Sequence, residues 1–242
     1  MSINILILAA GPVEFENHDG GYPLCLTEVD GAPLLERVIE STRQVQDSRY
    51  VYAFLEKDLE HFHLDQIAQL ITPDASIARI PACTQGSACT ALLAASGLDG
   101  DAELLVISAN ELVDVNLAEV LVDFRARNLD GGTITFRSVH PRYSYVRLDD
   151  QGLVIEAAQQ NPISQSATVG VFWFSRTHEF VDAVKGMIRK SASSDGKFYV
   201  APAYNEMVLR QKRIGVFQVD KGKYHPVKTE RQLQSIERGN CE

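Results

Sequence analysis

No uninterrupted apolar stretch in the chain approaches the roughly 18 residues that a membrane-spanning helix requires, so no membrane partner is expected. No secretory leader is expected either. The opening MSINILILAAG has neither a basic start nor a small-residue cleavage site, and its apolar run reads as a buried first strand. A cytoplasmic location follows as an expectation. Cysteine is scarce: Cys25, Cys83, Cys89 and Cys241 form neither a C-x-x-C pair nor a zinc spacing, which argues against a disulfide scaffold. Reduced thiols with packing roles are expected, for Cys25 and Cys89 in particular. Positive charge is also short. Against 32 Asp and Glu stand 23 Lys and Arg, for a formal net charge of -9. No basic stripe follows from this composition, and the KGK of Lys221 and Lys223 is too short to make one, so nucleic acid is not an expected partner. A small anionic ligand remains open, because a local pocket can be positive on an acidic protein.

What is present is an ordinary globular composition, 45% hydrophobic and 23% charged over 242 residues, enough to bury a full core. Ile3 to Ala9 is near-continuously apolar, as a central parallel strand buried on both faces would be. Pro33 then opens a helix that places Leu34, Leu35, Val38 and Ile39 on one face. Further strands are expected at Tyr50–Leu55, Ser76–Ile80 and Leu104–Ser108, with helices near Leu64–Ile71, after CTQGSACT, and from Leu117 to about Arg127. Such alternation implies a parallel, doubly wound sheet with right-handed crossovers. After Gly131 the rhythm changes: GTITFRSV, YSYVRLD, LVIEAA and TVGVFWF are strands parted by turn residues, which predicts an antiparallel extension. Helices near Glu179–Arg189 and Ala203–Gln211, the strand IGVFQVD, a short YHPV segment and a last helix from Thr229 complete the chain. The fold class is therefore α/β, with one continuous domain over residues 1–242.

Open α/β sheets bind ligands beyond the carboxyl ends of their strands. Three loops qualify: Gly11–Leu26, Thr84–Thr90 and Ser108–Asp114. LAAG after the first strand, a glycine-bearing loop, and then PLCLTEVDGAPLLERVIES resemble the nucleotide-diphospho-sugar transferase fold (Rossmann-like). More narrowly, they resemble the sugar-phosphate nucleotidyltransferases, which join a nucleoside triphosphate to a sugar 1-phosphate and release pyrophosphate. TQGSACTALLA, LLVISANELVDVNL, PISQSATVGVFWFSR and FYVAPAYNEMVLRQKRIGVFQVD with YHPVKTERQL extend the likeness over nearly the whole chain. The resemblance implies a nucleotide site at Ala9, Ala10, Gly11, Leu24, Gln85, Gly86 and Ser87. It implies a sugar-phosphate site at Arg142, Arg147, Gln159, Gly170 and Asn205, and Mg²⁺ if the protein is active. The implied partners are a nucleoside triphosphate or nucleotide sugar and a sugar phosphate; oligomeric state stays open, a homo-oligomer included.

In-line attack on a phosphorus must offset the charge of a triphosphate and of its leaving group, through backbone N–H groups, Arg, Lys and a carboxylate-held Mg²⁺. Here the chain departs from the family pattern. Gly11 is followed by Pro12, Val13, Glu14 and Phe15 instead of a second glycine and an arginine. Leu24 follows Pro23 where the family carries a phosphate-contacting lysine, and Asn110 stands where an N-G-D motif ends in a metal-binding aspartate. Gln159, Gln160 and Asn161 replace a charged segment, and YHPVKT lacks a second metal aspartate. Losing one such contact costs about 10²–10³ in rate. Glu111 and Asp114 flank Asn110 and are the candidate catalytic and metal-binding replacements, with Asn110 itself and with Asp114 as the metal ligand. Glu14, Glu16 and Asp19 are acidic where a triphosphate needs cations, whereas Arg142, Arg147, Lys197 and Lys228 could present cations to a sugar phosphate. Two functions therefore stand side by side: a divergent nucleotidyltransferase of nucleotide-sugar or surface-polysaccharide metabolism, and a catalytically degenerate binding or regulatory subunit.

Overall fold

The computed structural model describes residues 2–11, 22–81 and 84–227. Expectations that fall on Pro12, Val13, Glu14, Phe15, Glu16, Asp19, Cys83, Lys228, Cys241 and the last helix from Thr229 lie outside the described residues.

Four parallel strands form one side of a mixed sheet. β1 (Ile3–Leu8) lies between β4 (Ser48–Leu55) and β6 (Glu103–Ser108), and β5 (Ser76–Ile80) flanks β4. Two short strands, β2 (Glu28–Val29) and β3 (Ala32–Pro33), make a hairpin whose turn takes Asp30 and Gly31 through positive φ, the geometry that an Asp-Gly pair favours. The hairpin leads into α1 (Leu34–Glu40), with Pro33 as its capping residue. Leu34, Leu35, Val38 and Ile39 are buried as their spacing predicts. β4 leads directly into α2 (Glu56–Phe62), a helix that the sequence did not announce, and α3 (Leu64–Ile71) follows after a break at His63, whose φ is 52°. Further on come α4 (Ser87–Ala94), the short β7 (Glu111–Val113) and α5 (Leu117–Ala126), the last capped by the Asn116 side chain accepting from the Ala118 amide at 3.1 Å.

The extension is built from β8 (Gly131–Arg137), β9 (Ser144–Leu148), β10 (Val154–Gln159) and β11 (Ser166–Phe174). After α6 (Thr177–Arg189) and α7 (Ala203–Val208), β12 (Ile214–Val219) joins β8 in parallel, and β13 (Tyr224–Pro226) pairs with β7. β11 is the joint of the molecule. Its second half, Val171–Phe174, runs antiparallel to β6, whereas Ser166 and Ala167 pair with β9. Between Thr168 and Phe172 its register against β8 shifts, and Gly170 in this bulge has φ +76°. A bulge re-aims a strand and ends pairing locally; here it opens the sheet beside the carboxyl end of β6.

The alternation of β1 separates two cores. Ile3, Ile5 and Ile7 pack with α1, α3 and α5, while Leu6 packs with α4, α6 and α7. Helices thus cover both faces, as a doubly wound sheet requires. Trp173 is buried in the first core, and its indole N–H donates to Glu103 at 3.0 Å. Glu103 also accepts both prongs of Arg125, at 2.9 and 2.7 Å, so a nearly inaccessible carboxylate is fully used. None of the described helices is long and apolar enough to cross a membrane.

Candidate functional site

The loops that follow β1, β5 and β6 all leave the same edge of the sheet, because those strands are parallel. The Ala9 amide donates to Ala53 and the Ala109 amide to Leu8, each at 3.0 Å, which ties the ends of β1, β4 and β6 together. Ala9 and Ala10 are half-buried there and Gly11 is exposed; the space around Gly11 would admit a Cβ.

The loop after β5 is held more tightly. The Phe198 amide donates to Gln85 at 2.7 Å, and the Phe198 carbonyl accepts from Ala88 at 3.0 Å. Gly86, between them, has φ +106°, and a Cβ there would lie 2.4 Å from the Phe198 oxygen. Only glycine permits that approach. Thr84 and Thr90 close the turn with a 2.7 Å hydroxyl contact. Gln85 is exposed, and Ser87 is the first residue of α4. Cys89, one turn into the helix, has its thiol raised by burial.

At the end of β6 the segments that the resemblance pairs around a metal do lie side by side. β13 runs antiparallel to β7, with Pro226 opposite Glu111, and the Val227 amide donates to the Asn110 carbonyl at 2.8 Å. The Glu111 side chain turns inward. A Cβ built on Gly170 would fall 2.1 Å from its Oε2 and 3.2 Å from Ser108 Oγ, so the carboxylate is packed directly against the bulge of β11. Tyr224 closes the other side. Burial, with the Glu111 carboxylate beside it, holds its phenol well above the ordinary range, although their contact falls short of good hydrogen-bond geometry. Asp114 points outward and meets His225 Nε2 at 2.8 Å. A cavity of about 460 Å³ adjoins this corner, lined among others by Asp30, Arg37, Glu40, Glu111, Asp114 and His225. The Arg37 guanidinium is committed to the hairpin, donating to the Val29 and Asp30 carbonyls and to Glu40.

The sugar-side candidates divide. Arg142 lies 5.5 Å from the centre of the Tyr143 ring and donates through Nε to His140 Nδ1 at 3.3 Å; no carboxylate among the described residues pairs with it. Arg147 does not serve as a free cation, since it forms a cross-strand ion pair with Glu156. Gln159 accepts from the Ser144 hydroxyl within the β9–β10 ladder. Asn205 uses its amide on the β10 backbone, accepting from the Ala157 N–H and donating to its carbonyl, both at 2.8 Å, so packing accounts for it. Leu24, in place of the expected lysine, packs against the first core. Lys197 is exposed beside Phe198. His61 lies in α2 and His63 at the α2–α3 break, and neither belongs to a metal-ligating group of three among the described residues. The triplet Asp99–Gly100–Asp101 precedes β6 at its amino end, opposite this edge.

Neither a family model nor a curated relative matches the chain. Solved structures do. A nucleoside-diphosphate-sugar pyrophosphorylase from Vibrio cholerae RC9 superposes with a TM-score of 0.80 at 20% identity, over 97% of this chain and 99% of that one. The fold is that of the sugar-nucleotide pyrophosphorylases. A UDP-glucose pyrophosphorylase complexed with UDP-glucose matches over 100% and 99% of the two chains, with a TM-score of 0.76 and 14% identity. HddC from Yersinia pseudotuberculosis, complexed with GMP-PN, matches over 98% and 99% with a TM-score of 0.66 and 13% identity.

The pyrophosphorylase resemblance implies Mg²⁺, and where it places a metal-binding aspartate this chain has Asn110. Magnesium takes octahedral oxygen ligands, commonly one or two carboxylates together with phosphate oxygens and water. Among the described residues no group of three or more His, Cys, Asp or Glu side chains could hold a metal ion. Asn110 offers a neutral amide, Asp114 is engaged by His225, and Glu111 is packed under Gly170. Of these residues Glu111 is the one whose placement the sequence concealed; its spacing one residue after Asn110 was visible, its burial was not.

Proposed function

We propose that this protein binds a nucleotide sugar, or its nucleoside and sugar-phosphate parts, in the cleft at the carboxyl edge of the sheet, and that it does so without metal-assisted nucleotidyl transfer. One observation carries the reading. The nucleotide side of the cleft keeps a tightly built glycine loop at Gly86, while on the side where a metal would sit the neutral Asn110 is joined to Val227, and no group of three or more metal-ligating side chains stands among the described residues. Backbone recognition at Gln85–Ser87 needs no metal, whereas turning a pyrophosphate into a leaving group needs concentrated positive charge. A binding or regulatory role beside an active relative in nucleotide-sugar metabolism fits this combination.

A second reading, transfer of a nucleotidyl group to a sugar 1-phosphate with pyrophosphate release, is favoured by the match along the full length of transferase-fold structures. Incubating the protein with each nucleoside triphosphate, Mg²⁺ and a panel of sugar 1-phosphates separates the two. The binding reading expects no pyrophosphate above background, together with a rise in melting temperature on adding the cognate nucleotide, since a ligand selective for the folded state stabilises it. Sustained pyrophosphate release would replace it with the transferase reading.

A further inference from the structure

We infer that Arg142, Lys221 and Lys223 form a positively charged station beyond the carboxyl ends of β8 and β12, and that it selects a nucleotide sugar whose sugar bears a carboxylate. The inference rests on the binding reading above and names the substrate class of that site.

The topology brings these residues to the ligand edge. β8 runs antiparallel to β11, and β11 antiparallel to β6, so β8 points the same way as β6; β12 in turn runs parallel to β8. Their carboxyl ends therefore emerge where the loops after β1, β5 and β6 do, at the edge where α/β sheets bind ligands. Arg142 follows the end of β8, and Lys221 and Lys223 follow that of β12. An aromatic floor joins them. The Tyr143 ring lies 5.5 Å from the Arg142 guanidinium and 5.9 Å from the ring of Tyr224, the residue after Lys223, and Tyr224 packs in turn on Phe136 of β8 at 4.6 Å. Three strand spacings separate β1 from β8, about 14 Å in all, which is the direction in which the diphosphate and sugar of a ligand seated on the Gly86 loop extend.

The charges are of one sign and uncommitted. All three side chains are exposed, and none forms an ion pair with a described residue, whereas Arg37 and Arg147 are held by Glu40 and Glu156. The acidic neighbours are Asp220, which precedes Lys221, Asp114, which is engaged by His225, and Glu111, which lies inward beside Tyr224. Burial raises the Tyr224 phenol and the charge of Arg142 draws it back, so that guanidinium acts at this corner of the edge. Its Nε donates to His140, which leaves the two terminal nitrogens for a ligand. On a chain of formal net charge -9 this is a local positive field at a ligand edge. A carboxylate on the sugar meets a planar fork in Arg142 and two ammonium groups on flexible stems. Each exposed pair is worth a few-fold at most, and the three together give about tenfold in affinity. A neutral sugar gains none of it.

The test compares the affinity of the whole chain, without metal, for a nucleoside diphosphate hexose and for the nucleoside diphosphate uronic acid of the same base, the base being chosen from a panel by thermal shift. Wild type is set beside Arg142→Gln, the double variant Lys221→Gln/Lys223→Gln, and all three changes combined. Arg49→Gln is the control, since it removes an exposed cation from the amino end of β4, at the opposite edge. Wild type should bind the uronic acid form about tenfold more tightly, a preference that shrinks as salt is raised. Arg142→Gln and the double lysine variant should each narrow it to about threefold, and the combination should abolish it, with hexose affinity within about twofold of wild type throughout. Arg49→Gln should keep the full preference. Equal affinity of wild type for the two ligands, or a preference that survives the combined variant, overturns the inference and leaves the binding reading standing. Variants that weaken the hexose ligand as much as the acidic one would show a contact to the diphosphate, and a drop in Arg49→Gln as large as in Arg142→Gln would show an effect of overall charge; either overturns it as well. Absence of binding to both ligands with every base would remove the binding reading itself and the inference with it.

Discussion

Replacing Gly86 with alanine should damage stability and nucleotide binding together, and the size of the loss can be worked from the loop. Gly86 combines φ +106° with ψ 173°, a region essentially closed to residues with a Cβ, and holding alanine there costs on the order of 1–3 kcal/mol. The new methyl would also lie 2.4 Å from the Phe198 carbonyl oxygen and 2.9 Å from its nitrogen. Backbone cannot rotate aside as a flexible side chain can, so the contact must open. Opening it sacrifices the bonds from Phe198 N–H to Gln85 and from Ala88 N–H to Phe198, worth about 1 kcal/mol each. The total is about 4 kcal/mol, which for a chain of this length lowers the melting temperature by about 8–16 °C. Calorimetry of the two proteins measures the shift, and titration with the cognate nucleoside should show at least a tenfold loss of affinity. Gly11→Ala is the internal control. Nothing lies within 4 Å of its added Cβ, and it should melt within about 2 °C of wild type. A Gly86→Ala protein that melts and binds like wild type would show that the loop has no need of glycine, and the nucleotide side of the site would lose its support.

Three further outcomes are expected elsewhere. Glu103→Ala strands the buried Trp173 indole N–H and frees Arg125, and should cost about 3 kcal/mol by urea unfolding, with Glu103→Gln losing less because it keeps an acceptor. Asn205→Ala removes both bonds to Ala157 and should cost about 2 kcal/mol while leaving ligand affinity unchanged; a tenfold loss of sugar-phosphate affinity at unchanged stability would restore Asn205 to the sugar site. The Cys25 thiol is pushed from 9.0 to about 12, first by burial and then by Asp58. Between pH 9 and 12 the unfolded thiol has lost its proton and the native one keeps it, so stability is complete below pH 9 and falls as pH rises toward 12, by up to about 4 kcal/mol. Cys25→Ala should flatten that alkaline decline in denaturant titrations, and native Cys25 should resist thiol reagents at pH 8 until the chain unfolds.

The sequence reveals most where one residue type serves a single purpose. The strands Ser76–Ile80 and Leu104–Ser108 and the helix Leu64–Ile71 are legible because apolar side chains at the right period have few alternatives to a core. α2 escapes that logic: EKDLEHF buries only Asp58 and Leu59, too little pattern to separate a helix from a loop. The candidate site fails for a related reason. Arg147, Asn205 and Glu111 are polar residues whose partners are distant in sequence, and composition cannot say whether a charge meets a ligand, a neighbouring strand or solvent. Arg147 meets Glu156 across a ladder, Asn205 meets the backbone of β10, and Glu111 meets Gly170, 59 positions along the chain. The glycine could be read as one end of a family segment, and the glutamate as a replacement metal ligand. That the two fit into each other becomes visible only once the bulge in β11 turns the strand away from β6 at that point. The same bulge that opens the cleft therefore supplies the recess in which an acidic side chain is held. Restoring a metal-binding aspartate at Asn110 would leave that carboxylate, and its charge, where it is.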